Sequence, residues 1–315
     1  MSSSNKFIRI ITVEHAGSKL ISLLKKDYSD YPYTLLCKLV RKGNIRINGL
    51  RSQTNQILKI NDKIKIPNVL KQNLEEQKIK ISKNLEEKAK SWIIYKDDEI
   101  LIINKPNGFA VQGGSKVKTS IDCTLQTLKF EKNERPRLVH RLDKDTSGLL
   151  IVARNKIYAH FYTNLFKEKS IKKVYLAIVH GESKKISGRI VSDIETNNKM
   201  FDALTKYRTL YKNKLYSILL IIPETGRKHQ IRKHLSSINL PIVGDKKYSI
   251  SEQRNLKSRN LNLHAYCVHF KNKQGILKSF KVDLPSHMKK NLISFKLNFD
   301  LKSLNIEKFF DDKNF

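Results

Sequence analysis

A short polar loop between two apolar runs constrains this chain more than any other stretch of its sequence. Leu138 and Val139 precede the loop, and the apolar residues 149–152 follow it. Such runs predict buried β-strands that hold the loop, residues 140–148, in a fixed place. Loops on rigid scaffolds often carry catalytic residues, and we predict that Asp143 is the reactive acid. The alternative is a solvated hairpin whose Asp and Arg side chains pair in water, and spacing alone leaves both open.

The chain is strongly basic. Its 315 residues include 62 Lys and Arg against 29 Asp and Glu, a formal net charge of +33 with a pI of about 10.0. Such an excess predicts a polyanionic partner, with nucleic acid as the first candidate. Lys, Asn and Ile are all abundant, so AT-rich codon usage is a second explanation for part of this charge.

The sequence lacks the signals of a membrane or secreted protein. No run approaches the ~18 consecutive apolar residues of a membrane span, and the start of the chain has no apolar signal core. Cys37, Cys123 and Cys267 lie far apart and outside any CxxC pattern, which argues against a disulfide framework or a zinc site. We therefore expect a soluble, cytoplasmic protein with reduced thiols and no membrane partner.

Residues 11–75 have the pattern of a small αβ domain. Leucines at helical spacing precede Gly43, a helix stop, and alternating isoleucines then predict short strands. The basic residues on the second helix and the turn beside it are Lys38, Arg41, Lys42 and Arg46. The runs 39–49 and 61–67 resemble the S4 RNA-binding domain, which implies that this basic face contacts phosphates. The alternative is a merely charged surface on a small αβ unit.

The rest of the chain divides into three segments. Residues 76–91 are rich in charge and indicate a linker that is partly helical. Residues 92–299 predict an α+β domain built on a mainly antiparallel mixed sheet with peripheral helices. Residues 300–315 have no clear pattern and predict a frayed tail. The predicted elements of the large domain are strands at 92–95, 100–103, 174–179, 215–222 and 264–270, and helices near 155–168 and 229–237.

Four motifs of the large domain follow one another in the order seen in a known enzyme family. They are NKPNG at 104–108, HRLDKDTSG at 140–148, KVYLA at 173–177 and TGRKHQIRKHL at 225–235. Together with the N-terminal unit, they resemble the RNA pseudouridine synthases that modify large-subunit ribosomal RNA, most of all the synthase C subgroup. The resemblance implies a monomeric isomerase that needs no cofactor and no metal ion and whose partner is ribosomal RNA.

The resemblance also implies which residues carry the chemistry. Asp143 matches the family's catalytic acid, which acts either as a nucleophile toward the ribose or base or as a base toward a ribose proton. Arg232 matches an arginine that pairs with this acid and favours its charged form. Tyr175 matches a tyrosine whose ring stacks on the extracted uracil.

Further residues are expected to contact RNA or to extrude the base. Arg141 matches the side chain that fills the gap left by the flipped base, with an ion pair to Asp145 as the alternative. Arg227 is the rival of Arg232 as partner of the acid, and its alternatives are a phosphate contact or a contact at the helix start. His140 belongs to the same predicted RNA-contacting group.

His229 is also placed among the RNA-contacting residues. With His234 it suggests a metal site, but two histidines without a third ligand bind a metal poorly, so we expect none. Residues 113–114, 244–248 and 263–265 also correspond to family segments, and we interpret them as scaffold or RNA-contacting loops.

The sequence thus predicts an enzyme that converts specific uridines of large-subunit ribosomal RNA to pseudouridine. One alternative is a synthase that acts on transfer RNA. Another is a non-catalytic S4-type RNA-binding or ribosome-assembly factor. The joint presence of Asp143, Tyr175 and Arg232 argues against the latter, because binding alone needs none of them.

Overall fold

A four-stranded sheet and a ten-stranded sheet divide the chain into two units, residues 1–81 and 82–315. Each unit has its own hydrophobic core. The computed structural model describes residues 7–28, 31–68, 70, 82–113, 119–196, 199–249, 260–301, 304–306 and 309. The fold is described below within these ranges, one unit at a time.

The first unit packs two helices on a small antiparallel sheet. Its elements are β1 (Phe7–Ile10), a 3-10 turn (Val13–His15), α1 (Leu20–Asp27), α2 (Tyr33–Arg41), β2 (Arg46–Ile47), β3 (Leu50–Arg51) and β4 (Lys63–Ile66). The strand order is β1-β4-β2-β3. Leucines of both helices are buried with isoleucines of β2 and β4, so the helix and strand pattern predicted here is confirmed.

The four basic residues predicted to form a phosphate-binding face are all exposed. Lys38 and Arg41 lie in the last turn of α2, and Lys42 and Arg46 follow it. Arg46 donates through Nε to the Gly43 carbonyl at 3.0 Å, so its guanidinium is held at the end of the helix. The cluster therefore presents four positive charges at one end of α2.

The second unit contains the remaining elements. They are α3 (Lys83–Ser91), β5 (Ile93–Lys96), β6 (Ile100–Lys105), α4 (Ile121–Thr124), a 3-10 turn (Leu125–Leu128), β7 (Arg137–Leu138), β8 (Ser147–Ala153), α5 (Lys156–Lys167), β9 (Lys172–His180), β10 (Ser187–Thr196), β11 (Lys199–Lys212), β12 (Tyr216–Pro223), α6 (Gln230–Ser237), β13 (Leu263–Lys271), β14 (Leu277–Lys281) and α7 (Ser286–Ser294).

Its sheet is mixed and mainly antiparallel, as predicted for an α+β domain. The main path is β10-β11-β12-β9-β13-β8-β6-β5, with β14 paired to β13 and β7 paired to β8. Only β8 and β13 pair in parallel among the described strands. Alternate residues of β9 face opposite cores, with Val174 and Leu176 on one side and Ala177 and Val179 on the other.

Strand β8 is the central strand that follows the polar loop, and all seven of its residues are buried. Leu150 and Val152 enter one core, and Leu149 and Ile151 enter another. A strand buried on both faces is a continuous apolar run. The loop before β8 is therefore attached to a strand that is buried on both faces.

Two predicted segments differ from the structure. Residues 82–91, which we assigned to the linker, belong to the second unit, because Ala89 of α3 is buried among core residues of that unit. Residues 76–81 lie outside the described residues. The tail is not wholly frayed, since Ile306 is 1% exposed and packs in the core beneath β9 and β12.

The long hairpin of β10 and β11 was not predicted at all. Its outer positions are exposed, for example Val191 and Met200, whereas Ile190 and Tyr207 are buried. Polar and apolar residues are mixed along both strands, so the sequence does not show this alternation clearly.

Cys37, Cys123 and Cys267 are free thiols. In the ranges given above, no helix is long and apolar enough to span a membrane.

Replacing Gly148 by Ala is expected to lower the free energy of unfolding by about 2–5 kcal/mol. Gly148 has φ +106°, and a Cβ there would lie 2.2 Å from the Ala265 carbonyl oxygen of β13. Urea unfolding followed by circular dichroism measures the loss. Gly275→Ala is the control, because Gly275 has φ +79° but open space, so its cost is about 1 kcal/mol. Equal losses in the two variants would contradict the steric explanation.

Candidate active site

A cavity of about 620 Å³ opens in the second unit, between the loop before β8, strand β9 and the start of α6. Pockets of about 300–1,000 Å³ typically hold one small ligand, so a single nucleoside fits. The structure brings together all three residues predicted to be catalytic. The residues of the predicted set that line the cavity are His140, Arg141, Asp143, Tyr175, Arg227, His229 and Arg232.

Asp143 lies in a tight turn that ends at β8. The Thr146 N–H donates to the Asp143 carbonyl at 3.1 Å, and Leu142 is buried in the core, so the turn is held on both sides of the acid. The Asp143 side chain is 24% exposed. The side chain is therefore partly buried, which excludes the freely solvated hairpin. The Asp143 residue lines the cavity.

Arg232 is buried, and its closest partner is a different acid from the one expected. Its Nε and Nη2 each donate to Asp245 at 2.7 Å, whereas its Nη1 lies 4.0 Å from Oδ2 of Asp143. Burial opposes the charge on Arg232, but the Asp245 carboxylate outweighs it and raises the Arg232 pKa. The predicted pairing of Arg232 with Asp143 is thus a longer electrostatic contact, and the bidentate ion pair belongs to Asp245.

Asp245 is the first of two site residues that sequence reasoning missed. It is 1% exposed at the side chain and lies in a segment that we interpreted as scaffold or RNA-contacting loop. Burial raises its pKa, but the bonds from Arg232 and from the N–H groups of Lys247 and Tyr248 reverse this, and the net pKa is lowered. An acid after Gly244 in an otherwise apolar run was the available signal, because a buried carboxylate requires a cation.

His229 approaches Asp143 from the other side. It precedes α6 with φ +55°, a left-handed conformation, and its Nε2 lies 3.9 Å from Oδ1 of Asp143. Its Nδ1 is 2.9 Å from the hydroxyl of Tyr248. Burial lowers the His229 pKa, Asp143 raises it, and neighbouring cations such as Arg232 lower it again, so the ring tends toward its neutral form.

Tyr175 forms part of the cavity wall from strand β9. Its ring packs against two hydrophobic cores, and it is half-buried. Burial raises the pKa of its hydroxyl, and the negative charge of Asp143 raises it further. The phenol is therefore neutral and lies close enough to Asp143 to be influenced by its charge.

The two remaining arginines differ in their contacts. Arg141 is exposed at the cavity, and no partner of its side chain, including Asp145, occurs within the described ranges. Arg227 is held by β11, because its Nε donates to the Asp202 carbonyl at 3.2 Å and its guanidinium lies 4.9 Å from the Phe201 ring centre. Its backbone N–H also bonds the side chain of Gln230, a contact at the helix start.

His140 borders the cavity but is tied to the strand. Its Nε2 accepts the Ile151 N–H at 2.8 Å, and its ring stacks on Phe166 with centroids 4.3 Å apart. Burial and the charge of Lys173 lower its pKa to about 3. The ring is therefore neutral at physiological pH, and it fastens the polar loop to β8.

Lys105, in the NKPNG motif, is a second residue that the sequence did not single out. It is completely buried, and its Nζ donates to the carbonyls of Pro106, Phe109 and Lys144, each at 2.9 Å. Burial lowers its pKa to about 7 against the opposing charges of Asp145 and Asp143. The bond to Lys144 holds the residue that directly follows Asp143.

No cluster of three or more His, Cys, Asp or Glu side chains suited to a metal ion occurs in the part of the chain that the structure describes. His229 and His234, the pair weighed for such a site, have separate partners. His229 contacts Tyr248, and His234 lies 3.0 Å through Nε2 from the Ser192 hydroxyl.

Comparison with known proteins agrees with this geometry. A family model described as RNA pseudouridylate synthase matches residues 99–237, which contain all four motifs. The ribosomal large subunit pseudouridine synthase C of Buchnera aphidicola subsp. Baizongia pistaciae is 34% identical over 301 residues, covering 89% of this chain and 95% of that relative. The chain belongs to the RNA pseudouridine synthase family. The predicted enzyme class is thereby confirmed.

Other members of the RNA pseudouridine synthase family are similar at comparable levels. The ribosomal large subunit pseudouridine synthase C of Vibrio parahaemolyticus is 33% identical, over 76% of this chain and 78% of that relative. The solved structure of human RNA Pseudouridylate Synthase Domain Containing 4 superimposes with a TM-score of 0.59 at 25% identity, covering 69% of this chain and 97% of that chain. The resemblance to the synthase C subgroup is confirmed, while the S4 likeness of the first unit stays a prediction.

The neutral state of His140 predicts how stability depends on pH. In the unfolded chain its pKa is near 6.5, so below this pH the unfolded state binds a proton that the folded state excludes down to about pH 3. Stability is therefore lost as the pH falls through this window. His140→Gln keeps an acceptor for the Ile151 N–H without titrating, and its Tm should fall less than that of the wild type between about pH 7 and about pH 5.

Thermal unfolding of both proteins at the two pH values measures this difference. His160→Gln, at an exposed position of α5, is the control and should retain the wild-type acid sensitivity. An equal loss of Tm in His140→Gln and in the wild type would mean that His140 is not held neutral.

Proposed function

We propose that this enzyme isomerises specific uridines to pseudouridine in large-subunit ribosomal RNA. The observation that carries the proposal is a partly exposed Asp143 in a nucleoside-sized cavity that Tyr175 and the cation Arg232 of α6 also line. The relatives named ribosomal large subunit pseudouridine synthase C support ribosomal RNA as the substrate over transfer RNA, and support catalysis over RNA binding alone.

Asp143 is the residue to which we assign the bond-breaking step. The bond between N1 of uracil and C1′ of ribose breaks, the base turns, and a bond forms between C5 and C1′. Overall, a proton leaves C5 and one is gained at N1, so no atom is lost. Asp143 serves either as the nucleophile toward the nucleoside or as the base toward a ribose proton. Both roles require its ionised form, which Arg232 at 4.0 Å favours.

We assign stacking on the extruded base to Tyr175 and filling of the gap in the RNA stack to Arg141. A uridine in folded RNA must leave its stack, at a cost of about a few kcal/mol, before a carboxylate can reach its ribose. Tyr175 offers an aromatic face at the cavity wall for the extruded ring. Arg141 is exposed at the cavity and has a free guanidinium within the described structure, as needed for filling the vacated stack.

The first unit is assigned to docking on RNA as an S4-like domain. Its small αβ fold and the exposed cluster of Lys38, Arg41, Lys42 and Arg46 support this role. His140, Arg227 and His229 border the catalytic cavity, where RNA would pass. We further propose that the enzyme acts as a monomer in the cytoplasm, without a metal ion.

Asp143→Ala should lower the rate of pseudouridine formation by roughly 10⁴-fold or more, the scale expected when a reacting group is removed. The measurement is carbodiimide mapping of total RNA from cells that lack the gene and are complemented with wild-type or variant protein. RNA binding should persist, because Asp143 adds a negative charge to the site and no attraction for phosphate.

Asp145→Asn is the matched control, because it removes an exposed carboxylate two residues away and should retain modification. Persistence of the same pseudouridines in the Asp143→Ala strain would contradict the assignment. Loss of sites in transfer RNA instead of ribosomal RNA would favour the alternative substrate.

The docking role predicts a change in salt dependence. Changing Lys38, Arg41, Lys42 and Arg46 together to Gln should make the negative slope of log K against log salt shallower by about 3, because each phosphate contact contributes about −0.7 to −0.9 to that slope. Filter binding of a ribosomal RNA fragment at several salt concentrations measures the slope. The control set is four other exposed lysines of this unit, Lys19, Lys25, Lys26 and Lys59. Equal effects of the two sets would indicate nonspecific charge, as AT-rich codon usage predicts.

A further inference from the structure

One side of the catalytic cavity is formed by lysines to which no role is assigned above. They lie where α5 ends and β9 begins, and we call them the lysine cluster: Lys167, Lys169, Lys172 and Lys173. The whole lining has eight Lys and Arg side chains against two acids, Asp143 and Glu224. Within the described ranges, the side chains of the lysine cluster form no hydrogen bond and no ion pair. This side of the cavity is therefore strongly positive.

Lys173 is the least exposed member of the lysine cluster. Its Nζ lies 6.0 Å from the ring centre of Phe166, which stacks on His140. Burial lowers the Lys173 pKa, and the charge of Glu224 partly opposes this. Glu224 itself is bound to another lysine, since Nζ of Lys206 lies 3.1 Å from its Oε1. An ammonium group that is partly desolvated and has no bonded acid favours an anionic ligand, which would stabilise its charged form.

The strand geometry places this ammonium group beside the binding place of the base. Lys173 and Tyr175 are two residues apart on β9, so their side chains leave the same face of the strand, about 7 Å apart. Base and phosphate are at opposite ends of a nucleotide. A uridine whose base stacks on Tyr175 therefore has its backbone near the lysine cluster. Asp143 repels phosphate, so cations on another side of the cavity are needed to attract the backbone.

We propose that the lysine cluster is a phosphate subsite for a phosphodiester next to the target uridine, with Lys173 as its inner contact. Lys169 and Lys172 are exposed and form its entrance. The inference rests on the function proposed above. The contact forms when the nucleotide enters the cavity, so it offsets part of the cost of taking the uridine out of its stack. The subsite serves binding, and the bond-breaking step stays with Asp143.

The first test is Lys169→Asn, with Lys296→Asn as its matched control. Each lysine follows the last turn of a helix in a left-handed conformation, with φ +58° and +54°, and only Lys169 lines the cavity. Asparagine tolerates this conformation better, so neither variant should lower the Tm. Filter binding of a ribosomal RNA fragment should give a dissociation constant about 5-fold higher for Lys169→Asn, from one lost contact, and unchanged for Lys296→Asn.

The second test identifies the phosphate that Lys173 binds. Lys173→Gln should raise the dissociation constant about 10-fold, the scale of one hydrogen bond to a charged group. In the wild type, a neutral methylphosphonate at one linkage of the target uridine should cause a similar loss. Both changes together should cost little more than either alone, because they remove the two ends of the same contact.

Each linkage of the target uridine is tested in a separate RNA fragment. The nucleotide before the neutral linkage carries a 2′-O-methyl group, which prevents cleavage of the strand. The reference is the same 2′-O-methyl fragment with an ordinary phosphate. Because this test compares two fragments on the same protein, a change in the stability of Lys173→Gln does not alter its result.

The outcomes separate this inference from the proposed function. An unchanged dissociation constant in Lys173→Gln would overturn the phosphate subsite, and so would fully additive losses at both linkages of the target uridine. Equal losses in Lys169→Asn and Lys296→Asn would show that only general positive charge matters, which also overturns it. If the wild-type protein binds the fragment but forms no pseudouridine in it or in cellular RNA, the proposed function itself fails.

Discussion

The close pairing of β8 with β13 determines where the residues of the site lie. Gly148, at the start of β8, pairs with Ala265 of β13, and Ala265 pairs on its other side with Tyr175 of β9. Neighbouring strands are about 4.8 Å apart, so this row places Tyr175 about 10 Å from Gly148 across the sheet. Asp143 precedes Gly148 by one tight turn. A glycine is needed because no side chain fits between the two strands at this point.

The second constraint is electrostatic, since two carboxylates share one buried arginine. Asp245 is almost fully buried and binds Arg232 by two short bonds. Asp143 remains at the cavity surface, with longer contacts of 4.0 Å to Arg232 and 3.9 Å to His229. Lys105 restrains the same turn from its backbone side through the Lys144 carbonyl. The Asp143 carboxylate is thus placed by bonds to its neighbours in the chain, and its own oxygens remain at the cavity.

Sequence patterns predicted those features that depend on apolar periodicity or on the family motifs. The alternation of β9 and the buried run of β8 gave the strands, and Asp143, Tyr175 and Arg232 do meet in one cavity. The partner of Arg232 was not predictable in this way, because a sequence pattern gives no distance from Arg232 to either Asp143 or Asp245. Only the packing of the folded chain brings one of the two carboxylates within hydrogen-bond distance of Arg232.

The sequence patterns missed several other features of the fold and the site for related physical reasons. Strands β10 and β11 expose one face, so their alternation is diluted by polar and charged residues. Ile306 is buried although its neighbours in sequence give no periodic signal, because a single apolar side chain can fill a gap left by other elements. Lys105 was overlooked because a lysine is rarely buried, and only three converging carbonyls make its position tolerable.

Stability does not explain why the ion pair of Arg232 and Asp245 is buried beside the cavity. Some ion pairs of this unit, such as Lys132 with Asp98 and Lys289 with Asp283, are largely exposed and contribute little. A buried pair like Arg232 with Asp245 loses much solvation energy, and well-packed apolar residues are often as stable in its place. Stability alone therefore gives no reason to bury a charged pair beside the cavity. The pair does fix a positive charge at the cavity, with Nη1 of Arg232 at 4.0 Å from Oδ2 of Asp143.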